Sequence, residues 1–111
     1  MDIIKEYNAA LDAHAAEFHQ AAEQARARGD ERGHSLALMQ ESMLGDMLKQ
    51  LGRVEHEGRR GLLQKQIDRC EAQAAKLRQR DDFDGEDQER IKAQTIRWAL
   101  ETLTRLEAEH E

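Results

Sequence analysis

The chain has 111 residues, the length of a single domain, and contains no proline, 4% aromatic residues and 36% charged residues. Good helix formers dominate and β-branched residues are scarce, so the composition argues against a sheet and predicts an all-α fold. The net charge of −6 argues against a general nucleic-acid binder, which needs a dominant basic face.

The first predicted helix runs from about Asp2 to Arg28. Its apolar residues recur at a spacing of three and four and form one stripe: Ile4, Tyr7, Leu11, Phe18, Ala21 and Ala25. Gly29 is suited to end this helix because glycine tolerates a positive φ, and Asp30 is suited to cap the next one.

The second predicted helix runs from about Glu31 to Leu51 and has a broad apolar face. Met39, Met43 and Met47 lie on that face. Methionine adapts to irregular surfaces, so these residues are candidate contacts for a partner, with core packing as the alternative.

A polar segment with three glycines, residues 52–61, predicts a turn, because each glycine inside a helix costs roughly 1 kcal/mol. The alternative is one continuous helix over residues 34–80. The third predicted helix runs from about Leu62 to Arg80. Its apolar residues form a coiled-coil-like seam in which the only cysteine is expected to be inert: Leu63, Ile67, Cys70, Ala74 and Leu77.

An acidic stretch, residues 81–89, precedes the fourth predicted helix, which runs to about Glu109. Trp98 lies beside the main apolar stripe of this helix and is a candidate contact residue. The acidic stretch supplies a candidate partner-binding patch, with a solvated helix start as the alternative. The patch consists of Asp81, Asp82, Asp84, Glu86 and Asp87.

Metal binding and catalysis have little support in the sequence. The chain has two Glu-x-x-His motifs and one partial set of ligands: Glu31 with His34, Glu107 with His110, and His14 with His19 and Glu23. In an up-down bundle the two motifs fall at opposite ends, whereas a paired metal site needs them together. We therefore expect no metal, no cofactor and no enzymatic activity.

Residues 21–55 resemble a tetratricopeptide-type helical hairpin. The family places a Leu-Gly pair on the first helix, a large residue three positions later and a second glycine at the turn. Leu44-Gly45, Leu48, and Leu51-Gly52 with Val54 match those positions. The resemblance implies peptide or protein binding without catalysis or a cofactor, and it implies close packing of another backbone on Gly45.

The sequence thus predicts one all-α domain over residues 1–111, an antiparallel bundle of four helices, or three if 34–80 is continuous. Its expected function is non-enzymatic protein binding, as a small acidic adaptor, chaperone-like subunit or inhibitor, with homodimerisation as one form. Two alternatives stay open: an acidic mimic of nucleic acid that blocks a nucleic-acid enzyme, and a metal-binding bundle. No membrane span and no secretory signal are predicted, and one cysteine favours the cytoplasm.

Overall fold

The computed structural model describes residues 2–111, and these residues form α-helices without any β-strand. The four helices are α1 (Ile3–Ala27), α2 (Glu31–Leu51), α3 (His56–Gln79) and α4 (Phe83–Glu109). The predictions of an all-α fold and of four helices are confirmed. The alternative of one helix over 34–80 is wrong, because the chain leaves the helical conformation between α2 and α3.

The chain divides into two compact units, one ending at Val54 and the other beginning at Glu55. In the first, α1 packs on α2; in the second, α3 packs on α4. We name these units hairpin 1 and hairpin 2. The two helices within each hairpin are antiparallel. Residues further along one helix contact residues that come earlier on the other. A single domain over residues 1–111 stays a prediction.

The turn of hairpin 1 is a Schellman motif followed at once by a helix cap. Gly29 has a φ of 78°, and the amide of Asp30 donates to the carbonyl of Ala25 over 2.8 Å. The side chain of Asp30 then accepts from the Gly33 amide at 2.8 Å. The predicted roles of Gly29 and Asp30 are confirmed.

The turn of hairpin 2 has the same construction 52 positions later. Asp81 takes the left-handed conformation with a φ of 57°, and the amide of Asp82 donates to the carbonyl of Leu77 over 2.9 Å. The side chain of Asp82 accepts from the Gly85 amide at 2.9 Å. The backbone therefore makes the same turn twice, with aspartate at the left-handed position of the second copy.

The buried residues follow the same spacing. Hairpin 1 has eight buried positions, and six of them have a buried counterpart 52 residues later. The six pairs are Tyr7 and Arg59, Leu11 and Leu63, Ala22 and Ala74, Leu44 and Ile96, Met47 and Ala99, and Leu51 and Leu103. The two hairpins are thus two versions of one structural plan.

The predicted stripes are right in outline and wrong in detail. On α1, Ala22 is buried and Ala21 is exposed, so the stripe shifts by one residue near its end. On α3 the seam is buried at three of its five positions, whereas Cys70 and Leu77 are half-buried. A spacing of 3.6 residues per turn drifts away from a strict 4-3 pattern, which explains both differences.

The polar turn is shorter than predicted, because α3 begins at His56 rather than near Leu62. Gly58 and Gly61 lie inside the helix despite their cost. Arg59 is buried there, with 3% of its surface exposed. Tertiary contacts of this first part of α3 therefore outweigh the glycine penalties.

The acidic stretch is mostly helix rather than loop, since α4 begins at Phe83. Negative side chains in a first helical turn lie at the positive end of the helix dipole, which favours this start. In the part of the chain that the structure describes, no helix is long and apolar enough to cross a membrane.

Candidate protein-binding surface

A stripe of five positions runs along the outside of α4 at a spacing of four and three residues. It consists of Gln94, Trp98, Glu101, Arg105 and Ala108, and we call it the α4 face. Four of its members are exposed, and Trp98 is half-buried. Such spacing places all five on one side of the helix.

Trp98 stands where the α4 face borders the core. Thr102, one turn further along, is buried, and its hydroxyl donates to the Trp98 carbonyl at 2.8 Å. Trp98, Glu101, Thr102 and Arg105 together line an open depression of about 370 Å³. The indole is therefore partly packed against the protein and partly available from outside.

The charges beside Trp98 are not used by the fold. Glu101 and Arg105 are exposed, and no ion pair or hydrogen bond of their side chains occurs within residues 2–111. By contrast, neighbouring Arg97 forms an ion pair with Glu71 on α3. A tryptophan that shares a depression with an uncommitted carboxylate and an uncommitted guanidinium has the composition of a binding hot spot.

A second depression, of about 410 Å³, lies at the turn of hairpin 1. Four of its five lining residues have polar or charged side chains, and the fifth is a glycine: Arg26, Gly29, Glu31, His34 and Ser35. Because it offers no apolar side chain to a protein partner, the α4 face is the stronger candidate.

The three methionines do not form one exposed surface. Met47 is 3% exposed and belongs to the core, so its prediction as a contact residue is wrong. Met39 and Met43 are half-buried, and Leu38 beside them is 40% exposed. The part of α2 open to a partner is therefore smaller than the amphipathic pattern indicates.

Three carboxylates of the predicted acidic patch have structural roles. Asp81 occupies the left-handed position of the turn and Asp82 caps α4. Glu86 accepts from Arg90 at 2.7 Å, and its side chain is only 13% exposed. Much of the acidity predicted for partner binding thus serves the turn and the first helical turns.

The remaining acidic patch surrounds an exposed aromatic ring. Asp84 and Asp87 are exposed, and Phe83 between the capping residue and Asp84 is 62% exposed. In the sequence, Phe83 lies within the acidic stretch and belongs to none of the predicted apolar stripes. A single exposed ring is common on protein surfaces, so this patch alone does not define a site.

A polar cluster joins the first turns of α3 to the last turns of α4. Nε2 of His56 donates to the Glu107 carboxylate at 3.0 Å, and Arg60 donates to Thr104 at 2.9 Å and also to Glu107. Partial burial opposes ionisation of Glu107, but hydrogen bonds from Arg60 and His56 outweigh it and lower the pKa of this carboxyl. The cluster closes the open end of hairpin 2.

No pattern in the sequence predicts this cluster. Its residues are far apart in the chain, and only the antiparallel pairing of α3 with α4 brings them together. The contacting pairs share one regularity: the two residue numbers of each pair add to nearly the same value, as antiparallel pairing of two helices requires.

Cys70 lies on α3, half-buried. Burial raises the pKa of its thiol, and the negative charge of Glu89 raises it further. A thiol that keeps its proton is a poor nucleophile, which agrees with the inert role expected for this residue.

The candidate metal ligands are dispersed. Within residues 2–111, no three His, Cys, Asp or Glu side chains lie close enough together to hold a metal ion. Nδ1 of His34 donates to the Ala22 carbonyl at 2.9 Å, and Glu107 is engaged by His56 and Arg60. One residue from each Glu-x-x-His motif therefore makes protein contacts of its own.

No family model, curated protein or solved structure matches the chain. The resemblance of residues 21–55 to a tetratricopeptide-type hairpin therefore stays a prediction. One of its implications is wrong: a Cβ atom added at Gly45 meets nothing within 4 Å, so no backbone packs closely there.

Proposed function

We propose that the chain is a non-enzymatic protein-interaction module, a small acidic adaptor, chaperone-like subunit or inhibitor, that binds its partner through the α4 face. The observation that carries the proposal is the position of Trp98, which is half-buried and lines an open depression together with two exposed, uncommitted charges, Glu101 and Arg105. Tryptophan and arginine dominate the binding energy of many protein interfaces. We also propose the cytoplasm as its location.

Comparison of the hairpins supports this choice of surface. The positions of hairpin 1 that correspond to Trp98, Glu101 and Arg105 are Asp46, Lys49 and Arg53. A hairpin of this plan therefore folds with a wholly charged strip at this place. Since the shared plan of the hairpins does not require an indole at this position, we infer that the exposed part of Trp98 contacts another molecule.

The chemistry of the partner follows from the face. The indole needs an apolar pocket or a small side chain opposite it, and the two charges need opposite charges in a fixed order. Such an interface would be modest in area, so its affinity would depend strongly on the tryptophan.

Site-specific photocrosslinking tests the proposal. A photoreactive phenylalanine analogue replaces Trp98, and in a matched control it replaces Asp46, the exposed counterpart on α2. After irradiation in the native host, we expect covalent adducts of higher mass from position 98 and none from position 46. The proposal fails if position 98 gives no adduct, or if both positions give the same ones.

A further inference from the structure

We propose that the α4 face binds a second copy of this chain, with the two α4 helices antiparallel about a two-fold axis level with residue 103. This inference rests on the proposed function, because it names the partner of the same surface. It follows from the order of four side chains along α4. When a second copy of the helix runs in the opposite direction, each of these side chains faces one that complements it in charge or size.

The order is large, negative, positive, small: Trp98, Glu101, Arg105 and Ala108. When two such helices run antiparallel, Glu101 of each copy lies opposite Arg105 of the other, which creates two opposite-charge pairs. A parallel arrangement would instead place like charges together. A two-fold interface is made of identical patches, so one favourable pair always occurs twice.

The same two-fold axis determines which residue of the second copy lies opposite the indole ring. It places Trp98 of one copy opposite Ala108 of the other, an exposed residue with a small side chain near the end of α4. A large residue opposite a small one allows two helices to approach and interdigitate. The four side chains thus satisfy size and charge with one symmetry operation.

The corresponding strip on hairpin 1 lacks this property. Lys49 near the end of α2 and Arg53, two residues beyond that end, occupy the positions of Glu101 and Arg105, so the same two-fold operation would bring cations together rather than opposite charges. Asp46 occupies the position of Trp98 and offers no apolar anchor. Self-complementarity is therefore specific to α4 and does not arise from the shared plan of the hairpins.

The dimer should be weak and concentration-dependent. The four paired residues span about three helical turns, and a strip of that length buries less than the roughly 1,600 Å² of a standard interface. Like-charge pairs should therefore be enough to abolish it.

Sedimentation of charge-reversed variants over a concentration series tests the inference. Glu101→Arg and Arg105→Glu should each raise the dimer dissociation constant by about tenfold or more, because symmetry turns each change into two like-charge contacts. An equimolar mixture should restore dimers, since one variant then presents two cations and the other two anions. Arg53→Glu, the same substitution at the matched position of hairpin 1, should leave the dissociation constant unchanged.

Fluorescence gives an independent measurement, because Trp98 is the only tryptophan of the chain. Its emission should shift to shorter wavelength as the protein is concentrated, when the ring leaves water. Trp98→Ala should sediment as a monomer while retaining the helical circular dichroism of the parent.

Four results would overturn the inference: a parent that is monomeric at every concentration, single variants that dimerise like the parent, a mixture that stays monomeric, or an Arg53→Glu variant as weak as Arg105→Glu. The crosslinking experiment separates this failure from that of the proposed function. A monomer that still crosslinks from position 98 to another protein refutes the homodimer alone, whereas a monomer without adducts refutes both.

Discussion

The two hairpins make the same turn and bury matching positions, yet they differ in what they place at their surfaces. Both turns have a residue in the left-handed conformation followed by an aspartate N-cap. Leu11 in hairpin 1 and Leu63 in hairpin 2 are buried at matching positions. We attribute the shared turns and buried positions to the requirements of folding. Hairpin 2 has in addition an indole on its outer face and a charged cluster at its open end, and these two features need a separate explanation.

The open ends show this difference most directly. In hairpin 2, His56 and Thr104 contribute to the cluster around Glu107. In hairpin 1 their counterparts are Ile4, which has an apolar side chain, and Gly52, which has none, so neither can form these hydrogen bonds. The hydrogen bonds of His56 and Thr104 therefore have no equivalent at the matching positions of hairpin 1.

The largest expected effect tests the shared core. Leu11→Ala and Leu63→Ala each remove a fully buried side chain at matching positions, and each should lower the free energy of unfolding by about 2–5 kcal/mol. Denaturant unfolding followed by circular dichroism measures both. If one substitution costs much less than the other, the two cores are not packed alike.

A smaller effect tests the polar cluster at the open end of hairpin 2. Glu107→Gln removes the charge that Arg60 and His56 engage, and should cost on the order of 1 kcal/mol at neutral pH. Glu55→Gln, a substitution of the exposed glutamate 52 residues earlier, is the control and should cost almost nothing, because the Glu55 side chain makes no capping hydrogen bond. Equal costs would show that the cluster contributes nothing specific.

The contribution of Glu107 to the free energy of unfolding should depend on pH in a definite direction. The pKa of Glu107 is lower in the folded state, so its contribution is complete above the ordinary carboxyl pKa and disappears as pH falls through the lowered value. Acid titration of the unfolding free energy should therefore show a loss in the parent that is absent from Glu107→Gln.

The interior glycine of α2 provides the next test. Gly45→Ala should raise the free energy of unfolding by up to about 1 kcal/mol, because the added methyl group has open space and alanine favours the helix. Gly29→Ala is the control and should destabilise, since Gly29 has a φ of 78°. Thermal unfolding distinguishes the two signs. Destabilisation by Gly45→Ala would restore the close packing that the tetratricopeptide resemblance implies.

The smallest effect concerns the left-handed position of the turns. Asp81→Gly gives hairpin 2 the residue that hairpin 1 already uses, and should stabilise by about 0.5 kcal/mol through relief of backbone strain. Calorimetry of this variant and the parent measures the change. A loss of stability would mean that the Asp81 side chain supports the turn in a way that glycine cannot.

Local signals in the sequence predicted most of the fold. Gly29 and Asp30 identify their turn because each residue type suits one backbone role. The start of α3 was missed because Gly58 and Gly61 indicate a break, whereas contacts made by His56 and Arg60 with α4 override them. Such contacts depend on pairing between helices, which no local pattern contains.

The candidate site was only partly predictable. Trp98 was identified from its place beside the apolar stripe. Met47 was named as a candidate contact with core packing as the alternative, because periodicity does not tell which part of a broad face is covered, and it is buried. Glu101 and Arg105 gave no signal, since charged residues are usual on an exposed helix. Only their difference from Lys49 and Arg53, the residues 52 positions earlier, distinguishes them from ordinary surface charges.

The three-residue turns between α1 and α2 and between α3 and α4 also bear on how the chain reaches this structure. Closing a short loop loses little conformational entropy, and each further contact extends an existing helix pair from its turn outward. Proteins dominated by such low contact order fold in microseconds to milliseconds. We therefore expect two nucleation points, residues 28–30 and 80–82, with substitutions there slowing folding more than substitutions at the open ends.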